Sequence, residues 1–261
     1  MGTSILERGQ WVDKSIDLFI GTLVEYDMRD GGLSIIKEYN LLPPYMIEKV
    51  EKIPKGIQRN AFVGKLKYNS QYKDVPNIQN EKFKELRVLF GEQNGLEDRD
   101  IFAVRKDAIF VKKYCYNTKI GQYIEFREKN VYDAMLRIGR IEFYWRNDSK
   151  VMDIKGLPDK VTSKHDEYLN VMIWKFIKYL ASFDNDGARK YIVKMIDEYK
   201  FGELDPGYYR MYDNRGGYQI IINGEVHLID DIGPSEILST NIGYNFENLL
   251  VPMLRMVQDN Y

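Results

Sequence analysis

The stretch IFAVRKDAIFVKKY, residues 101–114, constrains the fold more than any other in the chain. Two short β-prone runs, Ile101 to Val104 and Ala108 to Val111, flank the charged trio Arg105, Lys106 and Asp107. Apolar runs broken by a few polar residues are the pattern of a tight β-hairpin. The runs can lie in a sheet while the charged trio stands at its rim. A carboxylate there can help to hold a metal, but one carboxylate does not make a site. The rest of the chain is therefore searched for a partner to Asp107.

Upstream, DLFIGTLVEYDM (17–28) predicts a strand ending near Asp27, and the glycine-containing turn at 30–32 leads into an expected helix over 33–42. Pro43 and Pro44 end that helix, because proline cannot continue the hydrogen-bond ladder. A second short helix follows over 45–53. The opening MGTSILERGQWVDK (1–14) reads as a ragged entry or contact arm. Residues 55–74 form the most basic stretch, with Lys55, Arg59, Lys65, Lys67 and Lys73 interleaved with Phe62, Tyr68 and Tyr72. Then VPNIQ is expected as a loop and 80–95 as a helix. Beyond the hairpin, further strands are expected from Gly121 and over 140–145, with a helix over 131–139 between them, and a strand end at 151–156. From 165 to 180 the apolar residues recur at helical spacing. More helices are expected over 188–199 and 245–257, with a small hairpin around Asn223–Gly224. The fold class this predicts is α+β. A sheet-bearing region covers 1–160 and a mainly helical region covers 161–261.

A chain of 261 residues supports one large domain or two small ones. Its formal net charge of −1 argues against coating by nucleic acid through bulk charge, although a local basic groove remains open. A single cysteine, Cys115, excludes a disulfide framework and a cysteine-rich zinc site, and is expected as buried packing. No apolar run is long enough to span a bilayer and the first residues do not read as a signal peptide, so a soluble, cytoplasmic protein is expected. His165, at a helix start, reads as a polar cap residue more readily than as a ligand. His227 and Asp230 point to opposite faces of a strand. PGYYRMYDNRGGY (206–218) offers tyrosines and arginines for a protein or nucleic-acid partner, or is an ordinary loop.

Asp27 and Asp107 are the two carboxylates that antiparallel strands could bring together. Such a pair repels unless a cation neutralises it, which makes it a candidate Mg²⁺ site; the plainer reading is two turn residues beside a solvated basic face. Three segments, in order, also resemble motifs of family B DNA polymerases. DMRDGGLSII (27–36) resembles motif A at Asp27, Ser34, Ile35 and Ile36; KLKYNSQY (65–72) resembles motif B at Lys65, Asn69, Ser70 and Tyr72; DAIFV (107–111) resembles the end of motif C at Asp107, Ile109, Phe110 and Val111.

The resemblance implies an antiparallel, polymerase-palm-like sheet with flanking helices. It implies Asp27 and Asp107 as carboxylates holding Mg²⁺ (or Mn²⁺), Lys65 as a grip on an incoming nucleoside triphosphate, and Asn69 and Tyr72 beside the nascent base pair. Arg59 is added on charge alone, and Lys155 as a contact to a phosphate backbone. Gly32, Lys73 and Arg105 depart from the family pattern, Arg105 standing where motif C has its first aspartate. The function implied is a polymerase-like nucleotidyltransferase acting on a nucleic-acid primer end. The alternative is an inactive scaffold or interaction protein, of a virus or mobile element, that keeps the fold.

Overall fold

The structure is a computed structural model that describes residues 4–139, 141–146, 152–155, 163–205, 208, 211–212, 218–222, 225–228 and 246–258. It has two compact units, one of Met1–Ser15 with Gly21–Val131, the other of Ile16–Ile20 with Tyr132–Tyr261. The division falls at Val131/Tyr132, inside a continuous strand, upstream of the boundary near 160 read from the sequence.

In the first unit the strands are β1 (Gln10–Val12), β2 (Leu18–Met28), β3 (Ile101–Arg105), β4 (Ala108–Val111) and the start of β5 (Phe126–Ile138). Their order is β1-β3-β4-β2-β5, and the β1–β3, β3–β4 and β2–β4 pairs are antiparallel. The expected hairpin is there, with a two-residue turn at Lys106 and Asp107. The N-terminal segment is no loose arm. Ser4 caps a 3-10 turn at Ile5–Glu7, Leu6 is buried, and β1 pairs with β3.

Period-two alternation decides which side chains enter the core. Val24, Tyr26 and Met28 of β2 join Val104, Ile109 and Val111 against one face of a long helix, which contributes Phe83, Leu86 and Phe90. Glu25 and Asp27 therefore point to the opposite face of the sheet. The helices of this unit are α1 (Gly31–Glu38), α2 (Pro44–Lys52), α3 (Ile57–Lys65) and α4 (Val75–Gln93). The expected loop VPNIQ is instead the first turn and a half of α4. Pro76 sits in the first turn, where a missing N–H costs nothing, so it starts the helix rather than barring it.

In the second unit β5 continues and pairs with β6 (Ile141–Trp145), which pairs with β7 (Met152–Lys155), both antiparallel. The helix expected over 131–139 is strand. Tyr132 and every residue from Ala134 to Ile138 are buried, and a run buried on both faces carries no period that separates strand from helix. Pairing settles it, Ala134 opposite Trp145 through to Ile138 opposite Ile141, next to Gly139 at φ 60°.

Helices α5 (Ser163–Ala181) and α6 (Asn185–Phe201), a π-helical turn at Phe246–Leu250 and a last helix at Val251–Gln258 complete the unit. Phe143, Phe176, Ile192 and Leu249 lie in their shared core. A small antiparallel sheet holds β8 (Met211–Tyr212), β9 (Tyr218–Ile222) and β10 (Glu225–Leu228). Ile222 pairs with Glu225, as the expected hairpin requires, while Asn223 and Gly224 lie outside the described residues. Most of 206–218, Asp230, and the side chains of His165 and His227 also lie outside them. Among the described residues no helix is long and apolar enough to cross a membrane.

Candidate active site

The β2–β4 register carries the site. Asp27 pairs with Ala108, the residue after Asp107, and the Met28 N–H donates to the Asp107 carbonyl at 3.0 Å. Strand pairing alone thus brings the two sequence-expected carboxylates to one rim. Burial, and next the negative charge of Asp107, raise the Asp27 carboxyl above its ordinary range, while Lys129 and Arg127 act against the shift.

Three groups unforeseen from sequence complete this rim. Arg127 approaches Asp27 at 3.5 Å, with about half of its side chain in solvent. Lys129 pairs with the buried Glu25 at 3.1 Å, and Asn130 donates to the other Glu25 oxygen at 2.8 Å. Burial pulls Lys129 down, but Glu25, with Asp27 and Asp107, outweighs it and raises the ammonium overall. Glu25 was legible, since it lies two residues before Asp27 on the same strand face. Arg127 and Lys129 were not, because nothing in the sequence says that β5 lies beside β2.

The third is Arg87 of α4, 1% exposed. Its guanidinium donates to the carbonyls of Leu6 at 3.0 Å and Arg8 at 2.5 Å, and to that of Lys106 in the hairpin turn. Lys106 holds φ 48°, a left-handed conformation that a lysine adopts only when its surroundings impose it. The Lys106 N–H also donates to Gly9 at 3.3 Å. The turn carrying Asp107 is thereby fixed from both sides. Burial pulls the Arg87 guanidinium down to about 10, with Asp107 opposing, and it stays charged at neutral pH.

Arg59 is engaged elsewhere. It pairs with Asp30 and donates to the carbonyls of Ile53 at 2.7 Å and Glu51 at 3.3 Å, closing the end of α2 onto the turn after β2. Lys65 lies exposed at the end of α3, and Asn69 is exposed with its Oδ1 accepting the Gln71 N–H at 3.0 Å. Tyr72 is half-buried against the small core of α1 and α2, and lines a cavity of about 680 Å³ with Lys37, Glu51 and Tyr123. Lys155 belongs to the second unit, its ammonium 5.3 Å from the centre of the Tyr144 ring. Arg105 lies over Phe110 at 5.7 Å. Cys115 is buried, as expected, and burial pushes its thiol up to about 11.

The donor set at the rim is two adjacent carboxylates. Among the described residues no three His, Cys, Asp or Glu side chains form a metal-holding group. Two carboxylates suit Mg²⁺, which keeps several waters and takes substrate phosphate oxygens rather than a full protein cage. The raised Asp27 carboxyl also marks a pair whose repulsion a cation relieves.

A family model described as Bacteriophage PBS1 gene 130 protein matches residues 1–258. No curated protein matches the chain. Among solved structures, the family B DNA polymerase from the hyperthermophilic archaeon Pyrobaculum calidifontis is similar, with a TM-score of 0.52 and 13% identity over 94% of this chain. The matched part is 46% of that polymerase, so the chain spans less than half its length. At that identity the likeness is one of fold.

Proposed function

The chain belongs to the family of the Bacteriophage PBS1 gene 130 protein, and from that premise we propose that it is a polymerase-like nucleotidyltransferase extending a nucleic-acid primer end with Mg²⁺. The observation that carries this reading is the β2–β4 register, which sets Asp27 beside Asp107 within a polymerase-like fold.

In this reading Asp27 and Asp107 hold the metal and Lys65 grips the triphosphate of the incoming nucleotide. Asn69 and Tyr72 flank the nascent base pair. Arg87 and Arg59 act as positioning residues, Arg87 through the turn of Asp107 and Arg59 through Asp30, three residues after Asp27. Lys155 is a separate phosphate contact. Bound Mg²⁺ supplies charge neutralisation for the transferred phosphate and the departing pyrophosphate. Arg127 and Lys129 balance the carboxylates when the metal is away.

The scaffold reading has its own observation. Arg127 already sits at Asp27, and Arg105 occupies the hairpin arm where the resembled motif has an aspartate. Primer extension by pure protein, with dNTPs and with rNTPs under Mg²⁺ and Mn²⁺, separates the two. Incorporation that Asp27→Asn and Asp107→Asn both abolish supports the enzyme. No incorporation under either metal leaves the scaffold.

A further inference from the structure

From Ala108 to Ile124 the chain carries Lys112, Lys113 and Lys119 and no acidic residue. Three tyrosines in it face solvent, Tyr114 at 47%, Tyr116 at 88% and Tyr123 at 41% exposure, and the first two lie two residues apart. A tyrosine so exposed is ordinarily on a mobile tip. Here its backbone is pinned on both sides. Between the two rings, Cys115 is buried, its N–H donating to the Tyr26 hydroxyl at 2.8 Å, which donates back to the Cys115 carbonyl at 3.2 Å. After Tyr116, Asn117 exchanges hydrogen bonds of 2.9 Å with Asn94 in both directions and donates to the Gln93 carbonyl at 2.8 Å. Before Tyr114, Lys113 bonds Asp100 at 2.7 Å and the Gly95 carbonyl at 2.9 Å.

Five hydrogen bonds to the end of α4 and the buried Tyr26, with the Lys113 side chain tied to Asp100, therefore hold two aromatic rings out into water, with exposed Lys119 three residues on. Burial of these rings is not what the anchoring achieves; presentation is. We infer that Tyr114 and Tyr116 form a stacking platform for single-stranded nucleic acid, with Lys119 contributing phosphate contact. Exposed rings with the exposed Lys119 close by suit a strand whose bases stack and whose backbone is anionic, while the Asp100 and Glu38 carboxylates are already held by Lys113 and by the Gln122 and Tyr123 N–H groups. Tyr116 lies nine positions after Asp107, which puts the platform at most about 30 Å of chain from the rim. The inference rests on the nucleic-acid part of the proposed function and not on catalysis.

The test is fluorescence anisotropy of a labelled oligo-dT of about 20 nucleotides, titrated with the full chain at two salt concentrations. Tyr114→Ala with Tyr116→Ala should weaken binding by about tenfold or more, since each stacked base is worth that order. Tyr116→Phe keeps the ring and should bind within about twofold of wild type. Lys119→Gln should lower the salt slope by about 0.7. Equal melting temperatures establish that the variants fold. Failure of the wild type to bind the oligonucleotide, or equal binding by the double alanine variant, overturns the platform. The wild type separates the two readings. If it binds the strand and the double alanine variant does not, while primer extension by the wild type is absent under Mg²⁺ and Mn²⁺, the platform stands and the enzyme falls.

Discussion

Arg87→Met tests whether the turn that carries Asp107 is held by the core or merely sits on it. Methionine fills much of the arginine stem but donates no hydrogen bonds. Three carbonyls, of Leu6, Arg8 and Lys106, lose the donor that the guanidinium gives them. A buried acceptor left unsatisfied costs about 1–3 kcal/mol; that of Leu6 is buried while those of Arg8 and Lys106 are only part-buried, so the three together cost roughly 3–5 kcal/mol. Removing a guanidinium that is 1% exposed recovers several kcal/mol of desolvation, which offsets the upper part of that range. The expected net loss is about 3 kcal/mol. For a chain of this size that lowers the melting transition by about 6–12 °C. Differential scanning calorimetry reads the shift, and the two units allow two transitions, of which only one should move. Arg87→Lys should recover less than half, because one ammonium cannot reproduce the planar fork that serves three carbonyls. A shift below about 2 °C for Arg87→Met would refute the argument. So would full rescue by lysine. In the same samples Mn²⁺ binding, followed by electron paramagnetic resonance, should weaken if the turn positions Asp107. Lost stability with unchanged Mn²⁺ affinity would reduce Arg87 to packing alone.

Asp107→Asn removes the like charge beside Asp27 and should stabilise the metal-free protein by up to about 1 kcal/mol in urea titration while ending metal-dependent activity. Because the folded carboxyl of Asp27 lies above its unfolded value of 3.8, its favourable contribution is present at lower pH and is lost as pH rises through the folded value. Asp27→Asn should flatten that decline, and in the wild type divalent binding should weaken as pH falls through the same window; parallel pH profiles for both proteins would count against it. Cys115, raised to about 11, should resist Ellman's reagent at pH 8 in the native protein and react within minutes in urea; rapid native labelling would contradict its burial. Arg59→Ala unties Asp30 and two carbonyls at the end of α2 and should cost about 1–2 kcal/mol, read by urea denaturation of the first unit.

The hairpin at 101–114 was legible because both apolar runs are short, β-branched or aromatic, and broken by three charges. Its pairing with the strand ending near Asp27 was one possibility in the sequence, and the β2–β4 register is what brings the two carboxylates to one rim. Residues 131–138 misled because Met135, Leu136 and Ile138 are buried on both faces, so no alternation marks the strand. Pro76 misled in the other direction, since proline breaks a helix only from inside it. Arg59 read as a free cation among lysines, yet Asp30, which it binds, lies 29 positions earlier. Arg87 was invisible for the same reason at greater range. Its partners are backbone carbonyls, and a carbonyl has no signature in sequence. Side chains that serve distant main-chain groups are legible only after the fold brings the segments together.

The charge at the rim decides how the two functional readings compare. Glu25, Asp27 and Asp107 supply three negative charges, and Lys129, Arg127 and Arg87 supply three positive ones. The metal-free rim is thus balanced, which is what an inactive scaffold needs. The cations are not equally committed, however. Arg87 is spent on carbonyls, and Lys129 is bound to a Glu25 side chain only 2% exposed. Arg127 is bound at 3.5 Å to an Asp27 side chain that keeps 18% exposure, and its own is 48% exposed. An ion pair that open contributes little, so a divalent cation arriving with a triphosphate could displace it. Displacing Arg127 would free Asp27 and leave a cation close to an incoming phosphate. The balance that makes the scaffold reading tenable therefore hinges on the weaker of the two ion pairs, and under the proposed function the same weakness would let the rim admit a metal.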